Sequence, residues 1–114
     1  MQETNIPQYP GQLYRIDKFK VPESARAEFL QKVHLTHAVL QTQPGFIQDL
    51  VLEQTDGPGE FNFVTVAIWQ NAEAMGAARQ AVMAKHAEIG FKHAELFDRL
   101  GIKADVANYA QLEA

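Results

Sequence analysis

The chain has 114 residues, of which 46% are hydrophobic and 21% charged, and it carries a net charge of −4 and no cysteine. This length and balance predict one globular domain, and the absence of cysteine excludes disulfides, thiolate metal sites and cysteine nucleophiles. Because no run of lysine or arginine occurs, nucleic acid and anionic membranes are poor candidate partners.

Residues 1–11 contain two prolines and a glycine and are predicted to form an arm outside a single domain at 12–114. They lack the basic segment and apolar run of a secretory signal, and no apolar stretch approaches the ~18–20 residues of a membrane span. We therefore expect a cytoplasmic protein that does not enter a membrane.

The first two predicted elements are a strand and a helix. The strand, Gln12 to Val21, alternates in character and places Arg15 and Asp17 on the same face. Pro22 ends this strand and opens a helix that is expected to stop before Pro44. The apolar stripe of that helix consists of Phe29, Leu30, Val33, His37 and Leu40. The stripe therefore places a histidine on the side of the helix that is predicted to be covered.

A hairpin is predicted next. Phe46–Gln54 returns to a period of two, Thr55–Glu60 is a turn by composition, and Phe61–Trp69 is rich in aromatic and β-branched residues. The second of these strands is apolar on both faces, although two helices can cover only one face of a sheet. We therefore expect a homodimer whose sheets pack face to face.

The C-terminal part is predicted to contain a helix, a broken second helical piece and a last strand. Asn71 is a candidate N-cap for the helix, and Gly101 is a candidate stop for the second piece. His86 and His93, which lie on either side of Gly90, are expected at the surface or at a subunit contact. The complete order, strand–helix–strand–strand–helix–strand with Ala104–Leu112 last, predicts a ferredoxin-like α+β fold with an antiparallel sheet and helices on one face.

The chain resembles the antibiotic biosynthesis monooxygenase family of the dimeric α+β barrel superfamily. The resemblance is carried by LYRIDKF in the first strand, by QPGF leading into FIQDLVLEQ, and by FVTVAIWQNAEAMGAA, where a strand ends in Trp69 and a helix follows Asn71. It implies a symmetric dimer with a pocket between helices and sheet in each subunit. Several relatives oxidise quinols or polycyclic phenols with O2 and use no flavin, heme or metal, so the resemblance implies no cofactor here.

Other relatives degrade heme, and they carry an asparagine on the first strand and a histidine on the second helix. Here the first strand has Arg15 and Asp17 but no asparagine, and Arg79 occupies the matching helix position. The resemblance therefore disfavours heme degradation. The pair His34 and His37 also lacks an evident third ligand, so no metal site is expected.

Two residues are the candidate catalytic groups. His37 is the candidate general base, because burial would keep its imidazole neutral and able to accept a proton from a phenol. Trp69 is the candidate partner for stacking on an aromatic ring, since Thr65 and Ala67 on the same strand face leave room beside it. The alternative for both His37 and Trp69 is a structural role in the core.

The remaining candidates would bind the substrate. Phe63, Thr65 and Ala67 would line the pocket, and Arg15 or Arg79 would offset the negative charge of a phenolate that Asp17 orients. The alternatives are a structural ion pair for Arg15 and Asp17 and a solvent-exposed position for Arg79.

The resemblance, together with an apolar pocket that contains a few ionisable groups, implies a cofactor-independent monooxygenase that oxidises a small aromatic molecule, such as a quinol, a polyphenol or a polyketide-like compound, with O2. Two other functions use the same pocket and stay open at this point. One is a non-enzymatic dimer that binds a small apolar molecule, and the other is a lactone or polyketide isomerase or cyclase.

Overall fold

The computed structural model describes residues 9–112 and contains a four-stranded antiparallel sheet. The elements are β1 (Leu13–Lys20), a 3-10 turn (Glu23–Ala25), α1 (Arg26–Leu40), β2 (Phe46–Glu53), β3 (Phe63–Trp69), α2 (Ala72–Glu88), α3 (His93–Leu100) and β4 (Lys103–Tyr109). The strand order β2-β3-β1-β4 confirms the ferredoxin-like α+β fold. Of the predicted arm, residues 1–8 lie outside the described range.

All three helices pack on the same face of the sheet. Phe19 of β1 contacts Phe29 of α1 and Phe97 of α3, with ring centroids 4.9 and 5.8 Å apart. Phe29 also packs 5.1 Å from Phe63 of β3, and Ala78 of α2 packs beside Trp69. Strict alternation along β3 explains this layering, because Phe63, Thr65, Ala67 and Trp69 are all buried beneath the helices.

Local signals place most of the element ends. The Asn71 side chain accepts a hydrogen bond of 2.8 Å from the Ala74 amide at the start of α2, as expected of an N-cap. Gly90 and Gly101 adopt positive φ angles of 71° and 72°. Gly90 therefore separates α2 from α3, and Gly101 ends α3. The first helix is the exception, because a 3-10 turn occupies Glu23–Ala25 and the α-helix begins only at Arg26.

The other face of the sheet carries no helix. Its apolar residues include Ile16, Val66 and Ile68, which are partly exposed, and Leu50 and Leu52, which are 41% and 48% exposed. A single chain therefore leaves an apolar surface uncovered there.

Within residues 9–112, no helix combines the length and the apolar character that crossing a bilayer requires.

The turn before β2 is held close to the start of α2. Gly45 has a φ of +82°, its carbonyl accepts a hydrogen bond of 2.9 Å from Gln70, and an added Cβ would lie 2.4 Å from Cβ of Ala74. Gly11 has a similar φ of +76° but open space around its Cα. The two glycines therefore share a backbone requirement and differ in packing.

We expect Gly45→Ala to lower the free energy of unfolding by about 3 kcal/mol, the sum of left-handed backbone strain and a steric clash. Gly11→Ala should cost about 1 kcal/mol, because only the strain applies. Urea denaturation of both variants measures the difference. Equal losses would show that α2 does not lie against this turn.

Candidate functional site

A cleft with two adjoining chambers lies between the helices and the sheet. The large chamber, of about 610 Å³, is bounded by Ala67 and Trp69 of β3 and by α2. The small chamber, of about 160 Å³, is bounded by α1, α3 and Thr65 of β3. The residues that line both chambers, and so form the junction between them, are Arg15, Asp17, Thr36, His93 and Val106.

Trp69 belongs both to the core and to the cleft wall. Its side chain is only 2% exposed, and its ring packs edge-on against Phe46 with centroids 5.5 Å apart. It also borders the large chamber, where its strand neighbour Ala67 and the facing Ala78 are small. The structural role in the core is therefore observed, and a side of the ring also borders the cleft.

The junction contains an ion pair in the middle of the sheet. Arg15 Nε lies 2.5 Å from Asp17 Oδ1, so the two residues predicted to share a face do pair. Sheet register places Arg15 opposite Ala67 and Asp17 opposite Thr65, and these small neighbours leave space above the pair. In the described part of the chain, the terminal nitrogens of the Arg15 guanidinium have no hydrogen-bond partner, so their N–H donors remain free.

His37 is buried at 8% exposure and lines the small chamber, with Nδ1 2.9 Å from Oδ2 of Asp49. Nε2 has no partner within residues 9–112, and no buried side-chain nitrogen or oxygen in that range is unpaired. Nε2 therefore opens onto free space. When a protonated Nδ1 donates its hydrogen bond to the Asp49 carboxylate, the lone pair of the ring lies on Nε2, which is the arrangement of a general base.

Two further imidazoles, those of His86 and His93, lie together beside the junction. The sequence predicted both at the surface or at a subunit contact, and His93 is indeed exposed. His86 is only 7% exposed, which corrects its predicted surface position, and its Nε2 lies 3.2 Å from Thr36 Oγ1. The His93 ring packs 4.4 Å from His86 and 5.0 Å from Phe91. The α2–α3 break at Gly90 turns the chain so that the two rings meet.

Both of these histidines favour the neutral form. Burial, the neighbouring His93 and the cation of Lys32 lower the pKa of His86, in that order of importance. Desolvation also lowers the pKa of His93, although part of that side chain is accessible. The junction is therefore bordered by imidazoles that stay uncharged near neutral pH.

The remaining predicted residues are dispersed. Thr65 lines the small chamber, Ala67 the large one, and Arg79 lies exposed on α2 at the margin of the large chamber. Phe63 is 2% exposed in the aromatic core and borders neither chamber. His37 and Trp69 border different chambers, which meet at the Arg15–Asp17 pair.

Three residues of the site carried no usable signal in the sequence. Asp49 meets His37 only through the packing of α1 over β2, and His86 meets His93 only through the turn between two helices. Lys32, whose Nζ lies 5.1 Å from the centre of the Phe91 ring, belongs to α1 but is not one of the residues of its apolar stripe. No group of three or more histidine, aspartate or glutamate side chains that could hold a metal ion occurs in residues 9–112.

The chain belongs to the antibiotic biosynthesis monooxygenase family, whose model matches residues 13–88, from β1 through α2. Family membership supports a monooxygenase-type role. A search of curated proteins gives no match to this sequence.

Solved structures share the fold at low sequence identity. SnoaB, a cofactor-independent oxygenase from Streptomyces nogalater, is 22% identical with a TM-score of 0.67 over 92% of this chain and 97% of its own. Rv0793 from Mycobacterium tuberculosis is 18% identical with a TM-score of 0.67 over 91% of this chain and 98% of its own. MhuD, a heme-degrader from the same organism with two hemes in its active site, is 24% identical with a TM-score of 0.63 over 90% and 97%. These likenesses establish the fold alone.

The histidine pair gives a titration that can be measured. We expect His93→Gln to raise the pKa of His86 towards 6.5, because it removes the coulombic repulsion and part of the desolvation. Lys85→Gln is the control, since Lys85 precedes His86 in the chain but pairs with Glu88 at 3.7 Å. Ring-proton NMR titration gives both values, and an unchanged pKa in His93→Gln would contradict the observed ring contact.

The same shift sets the sign of a stability effect. The pKa of His86 is lower in the folded chain than its ordinary value of 6.5 in the unfolded chain. Its contribution to stability is therefore complete above that pH and is lost as the pH falls below it.

Proposed function

We propose that this protein is a cofactor-independent monooxygenase that oxidises a small aromatic substrate, such as a quinol, a polyphenol or a polyketide-like phenol, with O2. The observation that carries the proposal is the two-chamber cleft, in which the chamber bordered by Trp69 and the chamber bordered by the base candidate His37 meet at the Arg15–Asp17 pair. A chamber of about 610 Å³ lies within the usual range for small-molecule sites.

The chemistry asks the protein to favour a phenolate in a dry site. A deprotonated phenol can pass electrons directly to O2, and in a monooxygenation one oxygen atom enters the substrate while the other leaves as water. The protein then needs to accept the phenol proton, offset the anion and hold the ring. His37, Arg15 and Trp69 have the side chains that these three tasks require.

His37 is the better-placed base of the two imidazole candidates. Its Nε2 is open, whereas Nε2 of His86 is engaged by Thr36 Oγ1. In this proposal the phenol oxygen enters the small chamber near His37, and the ring system extends past Arg15 and Asp17 towards Trp69. Asp17 fixes the direction of the Arg15 guanidinium, and Arg79 at the chamber margin adds a further positive charge.

Heme degradation fits the chain less well. The position predicted for the heme-binding histidine is Arg79, which is exposed, and His86 lies further along α2 in a hydrogen bond with Thr36. The residues present therefore do not supply a histidine at the matching place.

We expect His37→Gln to lower kcat for the oxidation of a responsive quinol or anthrone by about 100-fold or more, because a positioned base typically contributes that factor. His34→Gln is the matched control, since it makes the same change one helical turn earlier at an exposed position. Oxygen-electrode rates under saturating substrate measure both.

Full turnover in His37→Gln would remove the base assignment. A loss of turnover in His93→Gln instead would transfer the assignment to His86 and His93. Binding of the same compounds without any oxygen uptake would favour the non-enzymatic binding protein over the monooxygenase.

A face-to-face homodimer is the second part of the proposal. The uncovered sheet face presents Ile16, Val66 and Ile68 at its centre and the exposed Leu50 and Leu52 towards one edge. A second copy of the chain offers a matching apolar surface, and burial of both would be favourable.

We expect the wild type to be a dimer at micromolar concentration and Val66→Glu to be a monomer, because pairing would bury an uncompensated carboxylate. Ile89→Glu is the control, since Ile89 is 44% exposed after α2 and away from that face. Light scattering coupled to size exclusion decides, and a monomeric wild type would refute the dimer.

A further inference from the structure

Among the described residues, His37 alone lines both the small chamber and a second pocket on the outside of the domain. This outer pocket, of about 310 Å³, lies between α1 and β2 and is lined also by His34, Gln41 and Asp49. Neither chamber of the cleft is bordered by Asp49. The His37 ring therefore stands between the interior of the cleft and the surface.

The two nitrogens of this ring differ in their contacts. Nδ1 is bound to Asp49 on the side of the outer pocket, while Nε2 lies across the ring and is open. Gln41 donates a second hydrogen bond of 2.9 Å to the same Oδ2 of Asp49 and so holds the carboxylate in place. Oδ1 of Asp49 has no partner within residues 9–112 and can meet water in the outer pocket.

We propose that His37 and Asp49 form a proton relay between the cleft and the outer pocket, with Asp49 as the positioning residue and the outer acceptor. This inference deepens the proposed oxidation and rests on it for its role in catalysis. Its structural part is independent of turnover, because the carboxylate selects the tautomer of His37 whether or not a substrate reacts.

The relay balances over one cycle. The phenol O–H bond breaks and an Nε2–H bond forms, while the Nδ1 proton passes to Asp49 and then to water in the outer pocket. The phenolate then gives an electron pair to O2: a C–O bond forms at a ring carbon, and the outer oxygen takes the Nε2 proton to give a hydroperoxide. The hydroperoxide loses water as its O–O bond and the C–H bond at the same carbon break, which leaves a carbonyl in the oxidised product and both oxygen atoms accounted for. Nδ1 regains a proton from the outer pocket through Asp49, which restores the starting tautomer.

The relay can be tested without oxidation by binding 4-cyanophenol at a pH below its own pKa. Ultraviolet difference spectra report whether the bound phenol is ionised, and calorimetry in two buffers of different ionisation enthalpy counts the protons released. We expect the wild type to bind the phenolate and to release about one proton for each phenol bound.

Variants at the relay separate positioning from structure. Asp49→Asn should lower the ratio of ionised to neutral bound phenol by about tenfold or more, and Asp49→Glu should restore part of it. His34→Gln, at another residue of the outer pocket, should change neither quantity. Nitrogen NMR of the ligand-free protein should show the His37 proton on Nδ1 in the wild type and a loss of that preference in Asp49→Asn.

Phenolate bound without proton release would overturn the relay, as would equal ionisation in the wild type and Asp49→Asn or a wild-type proton on Nε2. The wild-type measurements and Asp49→Glu keep the test decisive if Asp49→Asn folds poorly. A working relay in a protein that consumes no oxygen would refute the proposed oxidation alone, whereas oxygen consumption unaffected by Asp49→Asn would refute the relay alone.

Discussion

The antiparallel pairing of β1 with β3 is the constraint on which the rest of the molecule depends. Its register sets Arg15 against Ala67 and Asp17 against Thr65, so a charged pair faces small residues in the centre of the sheet. Small side chains cannot fill the space beneath the helices, and charged ones resist being packed into it. The layer between helices and sheet is therefore closed by aromatic packing around Phe63 and open around Arg15 and Asp17.

The same constraint explains how one layer contains both a packed core and a cleft. Phe19, Phe29 and Phe63 pack edge-to-face or tilted at one end of the layer, and Trp69 packs against Phe46 at the other. Between them, the polar groups of the cleft are positioned by different elements: β1 carries the ion pair, α1 carries His37, and the α2–α3 turn brings His86 to His93. A change of register by one residue would transfer Arg15 and Asp17 to the uncovered face and remove the junction.

Much of the fold could be predicted from the sequence because its signals are local. Alternation along β3, the Asn71 cap and the positive-φ glycines each act over a few residues. Residues that share a strand face were also predictable, which is why Arg15 and Asp17 were correctly grouped.

Contacts between elements were not predictable in this way. The approach of Asp49 to His37 depends on how α1 crosses β2, and no spacing along the chain encodes that crossing. Gly90 predicts a break between the two helices, but the sequence does not predict the direction in which the chain turns there. The turn brings the His93 ring onto His86, and this contact explains why His86 is buried rather than at the surface. Phe63 shares a strand face with Trp69, but its ring packs against Phe29, so Phe63 lies in the core and does not border the cleft.

The central claim is that the cleft supports oxidation by O2 without a cofactor. The most direct measurement supplies oxygen-18 gas to metal-free, flavin-free protein with a panel of hydroquinones, naphthols and anthrones, and analyses the products by mass spectrometry. We expect protein-dependent oxygen uptake with one labelled atom in the product and the other in water. Products without label, or uptake that appears only after a metal or a flavin is added, would contradict it.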